Sequence, residues 1–394
     1  MQRLYINRCY RDKEHFVKEL SHRERVLWAI NRQIVDRPPV DLGGMFVTSI
    51  IAEGYNRLKQ YLGIASETRI QNRRSRLPFI DEEVLLRFDI DTRSVYCGAP
   101  KNRSVTEYPD GSYRDEWDIL RKKVAGGHYI NVDGPFQSMN NPAPRDVTDY
   151  NWVDPNDPGW YEGVREQAEH LHKATDYAVI LSLPVGVVHT AQFMRGYDHW
   201  LMDLILRPDF MHALMDTIVE IQCEIIKNLL ATAGEFIDCV LYGDDVAFKN
   251  GSLVSLPMYR EFIFPRHRKI FQTVKQNSRA KIIYHSCGSV YSLMEEIIRA
   301  GADVLNPVQV NADSMDTARL KNEFRDRISF WGGIDTSHVL PFGTPEDVRE
   351  EVQKRIHDLN GQGGYVVAAV HNIQPEVPPE NICAMFDAAR NVVQ

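Results

Sequence analysis

The sequence has few long hydrophobic runs, no cluster of basic residues and no dense cysteine framework. Its longest apolar runs, such as VGVV at 185–188, are far shorter than the ~20 residues that a membrane helix needs. The net charge is −8, which is unfavourable for binding the phosphates of nucleic acids. The first ten residues contain no apolar signal segment. We therefore expect a soluble cytoplasmic protein that binds neither nucleic acid nor membranes.

The six cysteines are scattered along 394 residues, at positions 9, 97, 223, 239, 287 and 383. In a chain of this size they need not form a disulfide framework. Three of them, Cys223, Cys239 and Cys383, lie in apolar patterns and are predicted to be small core residues.

A βα rhythm runs through the chain. Short apolar runs recur, most of them followed by a helical pattern, at 39–43, 85–89, 178–183, 239–243, 281–285, 303–306, 328–332 and 365–370. The later runs are apolar on both faces, as buried parallel strands should be. Eight such strands predict a single-domain α/β protein over 1–394, a (β/α)8 TIM-type barrel.

Several helices carry clear start and stop signals. Ser21 and Glu24 form a capping box, and Thr344 with Pro345 opens another helix. Ser255 begins a long helix that Pro265 is expected to kink. Residues 1–20, which precede the first of these signals, are predicted to be an N-terminal extension.

The segment of about 93–165 breaks the rhythm. It contains an Asp110-Gly111 turn between β-type runs, which is a hairpin signal. Its later part, from 140 to 160, is rich in Pro, Asp and Asn. We predict a β-rich insertion that lies over one end of the barrel.

The ends of the barrel strands supply the candidate site residues, because reactive groups in this fold lie at the C-terminal ends of the strands. The candidates are Asp41, Tyr242, Asp244, Asp245, His285, Cys287, Asn306, Gln309, Asp335 and His371.

The sharpest local signal is His285-Ser-Cys287. Side chains two apart in an extended strand point the same way. Histidine and cysteine are both good ligands for Zn²⁺. His371, at the last strand end, is the best-placed third ligand, and three ligands with an open fourth position would make a catalytic site. The alternative is a polar pair at a strand end without metal.

Tyr242, Asp244 and Asp245 are candidate catalytic residues, because vicinal carboxylates beside a tyrosine can orient a substrate or transfer a proton. The alternative is that one carboxylate caps the following helix. Asp41 and Asp335 each lie beside a Gly-Gly pair that allows close approach of a ligand, although a loop turn explains both as well.

At these residues the chain resembles the uroporphyrinogen decarboxylase superfamily, and in particular its corrinoid-dependent methyltransferase branch. The matching motifs, in order, are RERVLWAIN at 23–31, DRPPVD at 36–41, YRDEW at 113–117, YGDD at 242–245, YHSCG at 284–288, GADVLNPVQ at 301–309, FWGGID at 330–335 and PEVPPENI at 375–382. The resemblance implies a barrel and a Zn²⁺ bound by a His-x-Cys pair and a distant cysteine. His285 and Cys287 match the pair, and His371 takes the place of the cysteine.

The resemblance also implies a function. In uroporphyrinogen decarboxylases, the segment after the first strand is rich in arginine and binds the carboxylates of the porphyrinogen. Here that stretch is VDLGGMFVT at 40–48, with an acid and no arginine. We therefore expect a zinc-dependent methyltransferase that demethylates a small O-methyl substrate. Asp41, Asn306, Gln309 and Asp335 would contact the substrate.

The corrinoid (cobalamin) is expected on a separate small protein, because the chain has no Asp-x-His-x-x-Gly motif. Relatives of this fold suggest a homodimer. Three alternatives stay open: a methylcorrinoid:thiol methyltransferase, a metal-free decarboxylase-like lyase on a small carboxylic acid, and a binding module without chemistry. The lyase predicts arginines lining the pocket.

Overall fold

The computed structural model describes residues 19–103 and 105–391. The prediction of an N-terminal extension at 1–20 falls almost wholly outside them. A parallel sheet of seven strands forms the centre, and its strands are neighbours in sequence order. They are Thr92–Tyr96, Ala178–Ser182, Cys239–Gly243, Lys281–His285, Val304–Asn306, Ser329–Trp331 and Tyr365–Val366.

The segment around Val40 fills the gap between the last of these strands and the first. Val40 forms a parallel bridge with Val367, and the Asp41 amide donates to the Val367 carbonyl at 3.0 Å. On its other side the Val40 carbonyl accepts from the Asp91 amide, also at 3.0 Å. The eighth position is therefore occupied, which confirms the predicted TIM-type barrel.

One predicted strand is wrong. Residues 85–89 do not form a strand, because Glu82–Arg87 is a helix and Asp89 has a φ of 55°. The side chains of Val84, Leu85 and Phe88 are buried and follow one another at helical spacing, so they form one buried face. The barrel strand lies instead at Thr92–Tyr96, so the first residues assigned to the insertion belong to the barrel.

The barrel interior and the layer between sheet and helices form two separate cores. Ile180, Leu241, Ile283 and Trp331 belong to a compact interior cluster. Alternate strand residues, such as Tyr242, pack outward against the helices. Because side chains alternate along a strand, this division decides which strand-end residues point into the barrel mouth.

The helices cover the outside of the barrel. Ser21 forms the predicted capping box, and Thr344 is the N-cap of its helix as predicted, with Asp347 completing a capping box there. A π-helical turn at Tyr259–Ile263 precedes Pro265. None of the helices in the described ranges is long and apolar enough to cross a bilayer. Their bounds are His22–Ile30, Ala52–Leu62, Glu82–Arg87, Pro144–Thr148, Val164–Ala174, Val187–Arg195, Tyr197–Leu206, Pro208–Ala233, Leu256–Met258, Phe264–Asn277, Met294–Ala300, Thr317–Phe324, Val339–Phe342, Pro345–Asn360 and Pro379–Arg390.

The predicted insertion contains an antiparallel sheet of four strands, joined in sequence order. Gly111 has a φ of 80° in the turn between the first two strands, where the Asp-Gly signal predicted a hairpin. Two small hairpins also lie within the described residues, outside these two sheets. The strands are Thr106–Glu107, Tyr113–Arg114, Leu120–Lys123 and Tyr129–Asp133 in the insertion, with Ile70–Asn72, Leu77–Pro78, Ala247–Phe248 and Gly251–Ser252 in the hairpins.

Candidate active site

His285, Cys287 and His371 come together at the mouth of the barrel. One ligand atom from each lies within 4.8 Å of the other two. His285 Nε2 is 3.6 Å from Cys287 Sγ, and the ring centroids of His285 and His371 are 5.6 Å apart. The strand ends that the sequence placed in one site are therefore adjacent in space.

Asn306 orients the ring of His285. The Nδ1–H of His285 donates to Asn306 Oδ1 at 2.6 Å, while the Asn306 amide donates to the carbonyl of Trp331 at 3.2 Å. Both side chains are buried. With Nδ1 occupied, the lone pair of Nε2 faces Cys287, which is the arrangement that metal-binding histidines use.

The loop that carries Cys287 is held by two side chains. The Cys287 amide donates to Asp245 Oδ1 at 2.7 Å, and the Gly288 amide donates to Gln309 Oε1 at 2.7 Å. Gln309, predicted to bind substrate, thus supports the loop that carries Cys287.

The protonation of the three groups follows from their burial. Burial lowers the pKa of His285, and burial together with His285 lowers the pKa of His371 to about 4. Both rings are therefore neutral near pH 7, which is the form that binds a metal. Burial, and secondly Asp245, raises the pKa of the Cys287 thiol, so a cation would be needed to hold its thiolate.

The spacing of His285 and Cys287 fits Zn²⁺. With Zn–N near 2.1 Å and Zn–S near 2.3 Å, two ligands of a tetrahedral ion lie about 3.6 Å apart. The pair His285 Nε2 and Cys287 Sγ has this spacing. Three neutral or ionisable N and S donors with an oriented outer partner meet the needs of a catalytic zinc site.

Asp245 borders this cluster. Its side chain is 35% exposed, its Oδ1 lies 3.8 Å from His285 Nε2, and its Oδ2 lies 3.7 Å from His189 Nε2. His189 was not among the residues predicted from the sequence. It follows the strand end at Ser182 by seven residues and lies in the helix Val187–Arg195. Asp245 is the predicted catalytic carboxylate that has access to the mouth.

Asp244 and Tyr242 lie behind the mouth. Asp244 is fully buried and accepts from the amides of Val188 and His189, both at 2.9 Å, and from His267 Nε2 at 2.8 Å. Burial opposes ionisation, but contacts with His189 and His267 lower the pKa of Asp244 to about 2. The Tyr242 hydroxyl accepts from the Val187 amide at 2.9 Å. Both residues anchor the start of the helix Val187–Arg195, in line with the capping alternative for the carboxylate.

Asp41 points into the barrel, where donors surround it. It accepts from Thr92 Oγ1 at 2.6 Å, Thr48 Oγ1 at 2.7 Å, Trp331 Nε1 at 2.9 Å and the Gly44 amide at 2.9 Å. Burial raises its pKa, and these hydrogen bonds act in the opposite direction. A carboxylate with four protein donors holds the first strand and its loop together.

Asp335 lies in a loop and is not part of this group. It accepts from the Ser337 amide at 2.8 Å, and Asn311 Nδ2 lies 3.4 Å away. His338 Nδ1 is 3.3 Å from Asp335, and the His338 side chain is 69% exposed. Neither residue belongs to the His285, Cys287 and His371 group.

A cavity of about 510 Å³ lies between the strand ends and the insertion. Its floor includes Ser182 and Val185, and its roof comes from the insertion and from the hairpin around 71–75. Phe46 also lines it, and the Phe46 ring is 3.4 Å from where a Cβ would stand on Gly243, beside His285. The aromatic lining consists of Phe46, Tyr96, Tyr113, Trp117, Trp160 and Phe193. The size suits a small-molecule site.

Three arginines line this cavity, none of which sequence analysis singled out: Arg73, Arg74 and Arg121. They come from the hairpin and the insertion rather than from barrel strand ends. Candidates were chosen at the ends of barrel strands, so these arginines were not among them. Single arginines in loops also show no regular spacing in the sequence that would indicate a site.

Two kinds of known protein are among those similar to this chain. A methylated-thiol–coenzyme M methyltransferase of Methanosarcina mazei is 25% identical over 280 residues, which are 70% of this chain and 71% of that protein. The uroporphyrinogen decarboxylase of Ruthia magnifica is 24% identical over 188 residues, 46% of this chain and 49% of the relative. That of Chlorobaculum tepidum is 26% identical over 193 residues, 48% of this chain and 51% of the relative.

A solved structure shares the fold. It is a methyltransferase from Methanosarcina mazei, with a TM-score of 0.63 and 16% identity, and it covers 94% of this chain and 99% of its own. The profile of the uroporphyrinogen decarboxylase (URO-D) family matches residues 128–392. The match includes every barrel strand from Ala178 onward and the whole His285, Cys287 and His371 group. The chain therefore belongs to the uroporphyrinogen decarboxylase family.

Proposed function

We propose that the protein is a zinc-dependent methyltransferase, formed as a single domain, that takes a methyl group from a small O-methyl substrate. The observation that carries the proposal is the convergence of His285, Cys287 and His371 within 4.8 Å. The similarity to a Methanosarcina mazei methyltransferase over 70% of the chain supports the reaction class.

The bound zinc would supply Lewis acidity toward the oxygen that leaves when the methyl group is removed. His285, Cys287 and His371 would hold the metal, and Asn306 would keep Nε2 of His285 turned toward it. Asp245, which faces both His285 and His189, is placed to hold a proton near the leaving oxygen. Asp244 and Tyr242 would act as positioning residues through the helix that carries His189.

The donor set favours an oxygen substrate over a thiol. The Methanosarcina mazei relative is named for methylated thiols. Here two histidines and one cysteine give a harder site than one with two thiolates, and harder metal sites prefer oxygen ligands. We therefore propose O-demethylation, with transfer of the methyl group from methylated thiols as the competing specificity.

The acceptor of the methyl group is proposed to be a corrinoid on a small partner protein. This chain lacks the cobalamin-binding Asp-x-His-x-x-Gly motif. The partner must reach the mouth of the barrel, where Asp245 has 35% of its side chain exposed.

A second candidate is a metal-free lyase that decarboxylates a small acid. It predicts arginines in the pocket, and Arg73, Arg74 and Arg121 line the cavity. The similarity to uroporphyrinogen decarboxylases over about half of the chain supports the same reaction class. The two candidates differ in their need for zinc and in their product.

Metal analysis of the purified protein tests the first candidate. We expect about one zinc per chain and a loss of most of it in His371→Ala, because one of three ligands is removed. His338→Ala is the matched control, since this histidine lies outside the ligand group. Protein that neither contains zinc nor gains it on titration would refute the methyltransferase, and release of carbon dioxide by the metal-free protein would favour the lyase.

A further inference from the structure

Two guanidinium groups of the cavity lining contact one aromatic ring. Arg74 lies over the ring of Phe193 with its Cζ 5.7 Å from the centroid, and Arg121 lies over the same ring at 4.8 Å. Burial, and then the nearby charge of Arg121, lowers the pKa of Arg74. The charges of Asp115 and Glu116 act on this pKa in the opposite direction. Like charges in a partly desolvated cavity are unfavourable unless anions compensate them.

The protein leaves this charge incompletely compensated. Arg121 is 4% exposed and pairs with Asp115 through Nη2 at 2.6 Å, but its buried Nη1 has no hydrogen-bond partner among the described residues. Arg74 has neither an ion pair nor a side-chain hydrogen bond within 19–103 and 105–391. A buried guanidinium N–H without an acceptor is costly, so its persistence in a cavity indicates a ligand.

The other charged groups of the lining do not supply the missing acceptor. Arg73 is engaged with Glu107, and Asp115 is engaged with Arg121. Glu116 remains, and among the described residues it makes no hydrogen bond or ion pair with Arg74 or Arg121; burial, and then Asp115, raises its pKa, whereas both arginines act in the opposite direction. Further unpartnered buried atoms of the lining, Gln71 Oε1 and Ser182 Oγ, add polar capacity to the same cavity.

We propose that Arg74 and Arg121 bind the carboxylate of the substrate. Guanidinium groups bind carboxylates with paired, charge-assisted hydrogen bonds. The aromatic residues of the same lining suit a planar, apolar body, and one of them, Phe46, lies near Gly243, beside His285. The substrate class is therefore a small methoxylated aromatic acid. The placement of its methyl group rests on the proposed function, whereas the anion site does not.

This subsite lies outside the part of the chain that matches the URO-D profile. The match begins at residue 128, after both Arg74 and Arg121. The arginine pair is thus contributed by the hairpin and the insertion of this chain, and not by the barrel strands that carry the ligand group.

Calorimetric titration with three matched probes tests the anion site. They are para-methoxybenzoate, its neutral amide para-methoxybenzamide, and the cation para-methoxybenzylamine. We expect the benzoate to bind about tenfold or more tightly than the amide, because a charge-assisted pair is lost with the amide. Equal affinity of benzoate and amide, tighter binding of the amine, or no saturable binding of the benzoate would each overturn the proposal.

The variant Arg74→Met tests whether Arg74 is the residue that gives the preference for para-methoxybenzoate. We expect its affinity for para-methoxybenzoate to fall about tenfold or more, to the level of the amide, while its thermal midpoint without ligand stays equal or rises. If Arg74 served only to stabilise the fold, its replacement would lower that thermal midpoint instead. Arg268→Met, on an exposed position of the helix Phe264–Asn277, is the matched control and should bind as the wild type does.

A second variant and a metal control complete the design. Arg74→Lys keeps the charge but loses the planar fork, so an intermediate loss of benzoate affinity is expected. The titrations are run on zinc-loaded and zinc-free protein, with zinc content measured separately. Retained benzoate binding without zinc would uphold the anion site even if the methyltransferase is refuted, and unchanged affinity in both Arg74 variants would overturn it.

Discussion

In the proposed zinc site, the hydrogen bond from His285 to Asn306 would make the affinity for zinc depend on a residue that is not a ligand. Asn306 is fully buried, and its Oδ1 receives the Nδ1–H of His285 at 2.6 Å. Its own amide is held by the Trp331 carbonyl at 3.2 Å. Replacement by alanine removes the acceptor and leaves the histidine ring free to turn.

The size of the effect follows from this arrangement. Loss of an outer partner of a ligating histidine typically costs 10–100-fold in metal affinity. We expect Asn306→Ala to weaken zinc binding by about that factor. The unpaired Nδ1–H should also lower the free energy of unfolding by about 1–3 kcal/mol, because a buried donor loses its partner.

Competition with a chelating dye measures the zinc affinity, and urea unfolding of zinc-free protein measures the stability. Asn250→Ala, on an exposed loop position, is the matched control and should change neither quantity. If Asn306→Ala folds and binds zinc within about twofold of the wild type, the orienting role of Asn306 is refuted, because an outer-shell loss should exceed that.

Two further predictions concern carboxylates that the fold uses. Asp91→Asn should lower the free energy of unfolding by about 3–5 kcal/mol, because Arg25 and Arg37 pair with this buried carboxylate at 2.6 and 2.8 Å. Urea unfolding checks it against Asp326→Asn, a 90% exposed control, and a cost similar to the control would contradict it. Asp41→Asn should cost about 1–3 kcal/mol in the same assay, because an amide cannot accept from all four donors of Asp41. If stability is kept while substrate affinity is lost, the substrate-binding role predicted for Asp41 is the correct one.

The barrel was predictable from sequence because most of its strands are apolar on both faces. Runs such as Ala178–Ser182 and Cys239–Gly243 are buried throughout and stand out from their surroundings. The strand Thr92–Tyr96 was not predicted, because it carries polar residues on both faces. Thr92 points inward to Asp41, and Arg93 points outward to Glu82.

The candidate site was predictable only in part. His285, Cys287 and His371 follow strand ends, so the barrel itself predicts their approach. The direction in which each strand-end side chain points was harder to predict. Asp244 and Asp245 are neighbours in sequence, but one turns into the helix layer and the other toward the mouth, since successive side chains point to opposite faces. Arg74 and Arg121 meet only through the tertiary packing of a hairpin on an insertion.

The insertion between the strands Thr92–Tyr96 and Ala178–Ser182 separates two tasks along the chain. The proposed metal ligands come from the C-terminal half, at 285–371, and much of the cavity roof comes from before residue 125. Changes in the roof can therefore alter which molecule is accepted without disturbing the groups that would perform the reaction. Exchange of the insertion between relatives would be a direct route to new substrate ranges on an unchanged catalytic centre.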